Sequence, residues 1–143
     1  TLIKASSQWI LIDAARRRPI ALRENLPMYQ VIGERVIDTD FPKISEPQKI
    51  DEAAEFFIRF DDIDLNNHVN NAVYPLWASE AVGIDFRAAH TPAEIEIAFK
   101  KEGLYGEDIR VETEFDNLTT IHRIKATGDG RELARVRICW IGI

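Results

Sequence analysis

Cysteine is nearly absent from this sequence: Cys139 is the only one in 143 residues. That excludes an internal disulfide framework, and a reducing compartment, the cytoplasm, is expected. Basic residues are in deficit as well. Eighteen Lys and Arg against 24 Asp and Glu leave a formal charge of −6, which argues against a general nucleic-acid binder. The sequence has no apolar run long enough to cross a bilayer and no signal-peptide pattern at its start. Phosphate-binding glycine loops and dinucleotide fingerprints are missing too. The chain opens at Thr1 in mid-pattern without an initiator Met, so a fragment of a longer protein is expected. What is there is ordinary for a folded domain, 45% hydrophobic and 29% charged. The length suits one domain and a core, or one domain plus part of another. One local exception to the acidic balance is the triplet Arg16-Arg17-Arg18. It is either a solvated surface run or a site for an acidic partner.

Residues 3–12 (IKASSQWILI) read as a strand, and RENLPMYQVIG as a short helix broken by Pro27 and closed near Gly33. DTDFPKISEPQ, residues 38–48, carries two prolines and no period, which predicts a linker and a domain boundary close to residue 50. Residues 55–60 (EFFIRF) read as a strand entering the acidic run DDIDLNN. A helix is expected over 71–82. Tyr74, Trp77, Ala78, Ala81 and Val82 share one side, Val73 and Leu76 cover much of the rest, and Gly83 stops it. A helix so apolar should be surrounded by protein, with Pro75 tolerated only at its first turn. Four strand-like runs follow at 93–101, 109–115, 119–127 and 131–141, the last two flanking the turn Gly128-Asp129-Gly130. Strand, buried helix and antiparallel meander are most economically packed by curling the sheet around the helix. The expected class is therefore α+β, in the hotdog arrangement.

At the helix mouth, Asp64, Asn66 and His68 alternate, and in an extended segment their side chains would converge on one side. Asn70 or Asn71 suits an N-cap, and a backbone N–H there could serve an oxyanion. A structural reading, a capped helix behind a polar loop, stands beside the functional one. Calcium fits poorly: Asp62, Asp64 and Asn66 match the start of an EF-hand loop, but Asn67 replaces its glycine and Val73 its bidentate Glu. His68, His90 and His122 share no zinc-ligand spacing. Cys139 has no neighbouring base in sequence, so it reads as a packed thiol. No metal and no cofactor are expected.

The stretch DLNNHVNNAVYPLWASEAV (Asp64, Asn66, His68, Val69, Asn70, Asn71, Tyr74, Trp77, Glu80) resembles the active-site loop and central helix of the acyl-ACP thioesterases. These are double-hotdog enzymes that release fatty acids from acyl carrier protein (ACP). IAFKKEG is similar to the family's strand with two basic residues before a catalytic Glu, here Lys100, Lys101 and Glu102. SSQWILIDAARRRP is similar to the end of the family's first hotdog and the arginine-containing segment after it. The resemblance implies that residues 1–50 are the C-terminal end of a truncated first hotdog plus linker, and that 51–143 form a complete second hotdog. Plant members carry Cys after the Glu; here Gly103 follows, so water must be the nucleophile rather than a thiol at that position.

The roles implied are Glu102 as general base, made more basic by partial burial, and Asn66 as holder of the attacking water. His68 would orient water or carbonyl, with Asp64 fixing its tautomer, and Asn70 or Asn71 would supply the oxyanion donor. ACP is itself acidic, so Arg16, Arg17 and Arg18 are the candidate contacts. Lys100 and Lys101, adjacent in a strand, would point to opposite faces, leaving at most one to help them. A homodimer is compatible with this reading. The alternatives are a broader hotdog acyl-CoA thioesterase, or a non-catalytic acyl-binding or assembly domain whose loop merely caps the helix.

Overall fold

The computed structural model describes residues 3–13, 15, 16, 18–26 and 33–143, without the Arg23 side chain. The chain divides into two compact units, Thr1–Pro42 and Lys43–Ile143. In the first, β1 (Ile12–Asp13) pairs antiparallel with β2 (Arg18–Pro19), and α1 (Leu22–Asn25) is a single turn. Asp13 Oδ1 accepts the amides of Ala15 and Arg16 at 2.9 and 2.8 Å, an Asx-type turn that reverses the chain. The strand expected over 3–12 shrinks to its last position. The Leu11 carbonyl still accepts the Ile20 amide at 2.9 Å, but residues 3–10 have no ladder partner among the described residues, and Trp9 is 77% exposed. Strand propensity alone does not hold a strand whose backbone groups have nothing to pair with. Of the helix expected over 23–33 only the start is seen; residues 27–32 and Arg17 lie outside the described residues.

The second unit is one antiparallel sheet in the order β3-β5-β6-β7-β4. Its strands are β3 (Glu52–Phe57), β4 (His90–Phe99), β5 (Asp108–Asp116), β6 (Thr119–Ala126) and β7 (Glu132–Gly142). Alternation sorts the faces as the sequence implies. Ile109, Val111, Ile124, Val136, Ile138 and Trp140 are buried in one cluster with the helix α2 (Val73–Glu80). Removing such side chains from water contributes about 1.5–3 kcal/mol each. From α2 this cluster receives Tyr74, Trp77 and Ala78, with Ala81 and Val82 just beyond it. The helix is not enclosed all round, however: Leu76 is 66% exposed. It lies on one face of the sheet, and the opposite side of an eight-residue helix stays outside that layer.

The helix begins two residues later than expected, because Asn70 Oδ1 accepts the Ala72 amide at 3.0 Å and its carbonyl accepts that of Val73 at 2.9 Å. Pro75 then falls in the first turn, where its missing N–H costs nothing. Gly83, at φ 77°, ends this run but also opens α3 (Ile84–Ala89), which the sequence reading left out. α3 is anchored by Phe86, whose ring stands edge-on to Trp140 and Phe115 at 5.3 and 5.2 Å.

On the other face of the sheet, polar alternation becomes a ladder of ion pairs. Glu112, 4% exposed, takes Arg123 and Lys125 at 2.7 Å each. Arg135, 2% exposed, donates to Glu132 and Glu46 at 2.8 Å and to the Ile44 carbonyl at 2.9 Å. Those bonds draw residues 43–50 onto the sheet. The compact unit therefore starts at Lys43 rather than near residue 50.

Candidate active site

The acidic loop is a tight reversal rather than an extended segment. Ile63 and Val69 form an isolated antiparallel bridge, Asp64 N–H donates to the His68 carbonyl at 2.8 Å, and Asn67 closes the turn at φ 62°. Asn is among the few non-glycine residues that enter this left-handed region readily. Asp64, Asn66 and His68 thus meet through a turn, not through strand alternation. Asp64 Oδ1 accepts the Asn66 amide at 2.8 Å and the His68 amide at 3.4 Å, and Asn66 Nδ2 reaches Asp64 Oδ2 at 3.3 Å. The Asn66 amide leads the bonds that hold the Asp64 carboxyl below the usual carboxylate range. Asp64 therefore positions His68 through its backbone; the expectation that it fixes the ring tautomer is not met. The bonds of Asp64 close the turn, leaving the imidazole to reach elsewhere.

The ring reaches Glu102: Nε2 lies 3.3 Å from Glu102 Oε2. This approach is set by the backbone. Val69 N–H donates to the Gly103 carbonyl at 3.0 Å, tying the residue after His68 to the residue after Glu102. Gly103 makes it sterically feasible, since a Cβ there would sit 2.9 Å from Val69 Cγ2 and 3.2 Å from Ile58 Cδ1. Glu102 does not have the burial expected of it: its side chain is 58% exposed and that of His68 37%. In this unit both groups stand open at the mouth of the helix rather than inside the apolar layer.

Several neighbours fix the frame. Asp62, 3% exposed, accepts the Arg59 amide at 2.8 Å and Arg59 Nη2 at 3.0 Å. Burial pushes its carboxyl up, but these bonds outweigh it and leave the group below its ordinary value. The carbonyl of Asp62 takes the Asn70 amide at 2.8 Å. Asn70 is therefore spent as an oxyanion donor, whereas the Asn71 amide has no acceptor among the described residues. Tyr74 stacks edge-on to Phe99 at 5.5 Å, joining α2 to the end of β4. Burial raises its phenol pKa, opposed by the Gly103 backbone. Lys100 and Lys101 lie beyond β4, and both amides donate to the Leu133 carbonyl, at 2.9 and 3.2 Å. The strand-face argument about them accordingly lapses.

Sequence reasoning missed Asp62 as a frame residue, weighing it only within a calcium loop that it rejected, and missed Arg59 altogether. The i, i+3 spacing of Arg59 and Asp62 was the available signal for this pair.

A carboxylate from the β4–β5 connection, and an imidazole and an amide side chain from the loop before α2, form a constellation at the helix start suited to moving a proton and steadying an anion. Residues 45–142 match the profile of the acyl-ACP thioesterase C-terminal domain. The chain belongs to the acyl-ACP thioesterase family. Among relatives of this family, the chloroplastic palmitoyl-acyl carrier protein thioesterase of Arabidopsis thaliana is 25% identical, over 98% of this chain and 38% of that protein. An oleoyl-acyl carrier protein thioesterase of the same plant is 21% identical, over 96% of this chain and 46% of its own. The chain thus spans less than half the length of these relatives. Among solved structures, the 12:0-ACP thioesterase of Umbellularia californica superimposes with a TM-score of 0.76, at 20% identity, covering 92% of this chain and 53% of that one. A 1,4-dihydroxy-2-naphthoyl-CoA thioesterase from Synechocystis gives 0.58 at 14% identity, covering 64% of this chain and 81% of that one. At such identities the likeness establishes the hotdog fold.

Proposed function

We propose that this chain carries the catalytic half of a thioester hydrolase that releases fatty acids from acyl carrier protein. The observation that supports it most is the 3.3 Å approach of His68 Nε2 to Glu102 Oε2 beside the start of α2. Water attacks the thioester carbonyl carbon while Glu102 takes its proton. The resulting oxyanion is met by the Asn71 amide and the helix dipole. Collapse breaks the carbon–sulfur bond, and the proton held on Glu102 passes to the leaving thiolate. His68, in contact with Glu102, holds the carboxylate and water in line, and the Asn66 carboxamide offers the water a second contact. Residues 1–42 are read as the tail and linker of a preceding hotdog domain.

The acidic carrier would be met by Arg16, Arg17 and Arg18. Arg16 keeps 68% of its side chain exposed despite a 3.9 Å contact to Asp13. The test is a kinetic comparison of the full-length protein and Glu102→Gln on acyl-ACP and acyl-CoA series. Loss of general-base catalysis lowers kcat by about 10²–10⁴-fold with circular dichroism unchanged. Turnover near that of the parent removes Glu102 from the chemistry. Equal efficiency on CoA esters, with a KM indifferent to salt, removes the carrier-protein assignment.

A further inference from the structure

Glu102 lacks the packing that usually fixes a reactive side chain. Its carboxylate is more than half exposed, so its place is set mainly by its own backbone. That backbone belongs to the connection between β4 and β5, and the described side chain that donates to it comes from far along the chain. Arg131, just before β7, directs Nη2 to the Glu102 carbonyl at 3.4 Å. The same nitrogen lies 2.5 and 2.6 Å from the two carboxylate oxygens of Glu107, and Nη1 lies 2.8 Å from Asp129 Oδ2. Glu107 Oε2 in turn accepts the Leu104 amide at 2.9 Å. The guanidinium therefore spans the β6–β7 turn on one side and both ends of the 102–107 connection on the other. Arg131 and Glu107 are each about three-quarters buried along their side chains, which limits screening of the pair by solvent.

We infer that Arg131, through Glu107, is a positioning residue for the proposed reaction: the clamp holds the Glu102 backbone so that its carboxylate stays against His68. The planar fork matters, because one cation must serve a carbonyl and two carboxylates at fixed angles, and a lysine ammonium cannot reproduce that geometry. Displacement of a catalytic group by about 1 Å is enough to cost about 10²-fold in rate. The clamp's carboxylates come from two different turns, so its loss would loosen the connection without emptying the apolar cluster.

The inference rests on Glu102 being the base, and the experiment separates the two. Arg131→Ala, Arg131→Lys, Glu107→Gln and Glu102→Gln are compared in the full-length protein by steady-state kinetics on acyl-ACP, well below each variant's Tm. The expected result is a kcat lowered about 10- to 100-fold in Arg131→Ala with KM changed less than threefold. Arg131→Lys and Glu107→Gln should fall between it and the parent. A purely structural role would lower Tm and leave kcat of the folded fraction intact. That outcome, with Glu102→Gln inactive, overturns the clamp and spares the base. An active Glu102→Gln overturns both. Should Arg131→Ala not fold, the two milder variants decide by the same split between kcat and KM.

Discussion

Gly103 shows at single-residue scale how close the loop and the segment carrying Glu102 must come. An added methyl would press on Val69, Ile58 and Leu133 at 2.9, 3.2 and 3.3 Å, and the nearest of these is a short branched side chain whose backbone is bonded to the Gly103 carbonyl. Gly103→Ala is therefore expected to lower stability by about 1–3 kcal/mol, as overpacking does. It should also lower kcat, because relief means parting Val69 from Gly103 and hence His68 from Glu102. Thermal melts together with turnover check this; a variant with parental Tm and kcat would show that the contact relaxes freely. The same crowding explains in steric terms why a cysteine side chain has no room at this position in this chain. No signal in the sequence told that a glycine here is needed for space, since its neighbours arrive from positions 58, 69 and 133.

At the scale of elements, the loop before α2 is held as a unit by Asp62. Its side chain caps the 3-10 turn Phe60–Asp62 through Arg59, and its carbonyl takes the Asn70 amide. Asp62→Ala leaves the Arg59 amide without its acceptor and should cost about 1–3 kcal/mol. Because the Asp62 carboxyl lies below its ordinary value, its contribution is present above the unfolded value near 3.8 and lost as pH falls through the folded one. Chemical denaturation at neutral pH measures the mutant cost; a change under about 0.3 kcal/mol would mean that solvent replaces the bond. The helix itself was legible from its residue spacing, because 3.6-residue periodicity needs no partner to be read. α3 was not, since IDFRAA is short and its single anchor, Phe86, has meaning only against Trp140 and Phe115.

For the whole second unit, acid sensitivity follows from one buried imidazole. His122 is completely buried in the sheet, with Nδ1 3.0 Å from Thr113 Oγ1 and Nε2 2.7 Å from Thr120 Oγ1. Trp140 Nε1 donates to the same Thr120 oxygen at 2.9 Å. Hydroxyls can donate to one ring nitrogen and accept from the other, so the network satisfies a neutral ring and offers no countercharge to a cationic one. Burial accordingly pushes the His122 pKa down from 6.5 to about 3. Between these values the unfolded chain binds a proton that the folded chain refuses. Stability should hold above about pH 6.5 and fall below it by about 1.4 kcal/mol per pH unit as far as pH 3. Urea midpoints from pH 7.5 to 5 test this in the parent and in His122→Gln. The variant, though less stable at pH 7.5, should show a flatter profile. Parallel profiles would assign the acid sensitivity to other groups. No helix of the described residues is long and apolar enough to cross a membrane.

By itself the sequence determined the periodicities, and with them α2, the inward faces of β5 and β7, and the turn near Asp129, because these depend on neighbours two to four residues apart. Its motif residues also pointed to His68, Asn66, Asp64 and Glu102 as one constellation. Tertiary structure alone decided how they meet. It turned the loop back at Asn67, gave Asp64 to the backbone and the imidazole to Glu102, took the Asn70 amide for Asp62, and brought Arg131 under the Glu102 carbonyl. It likewise moved the unit boundary to Lys43, through an arginine 91 residues from its acceptor at Ile44. Contacts between residues dozens of positions apart are fixed by strand order and register, which no local pattern encodes.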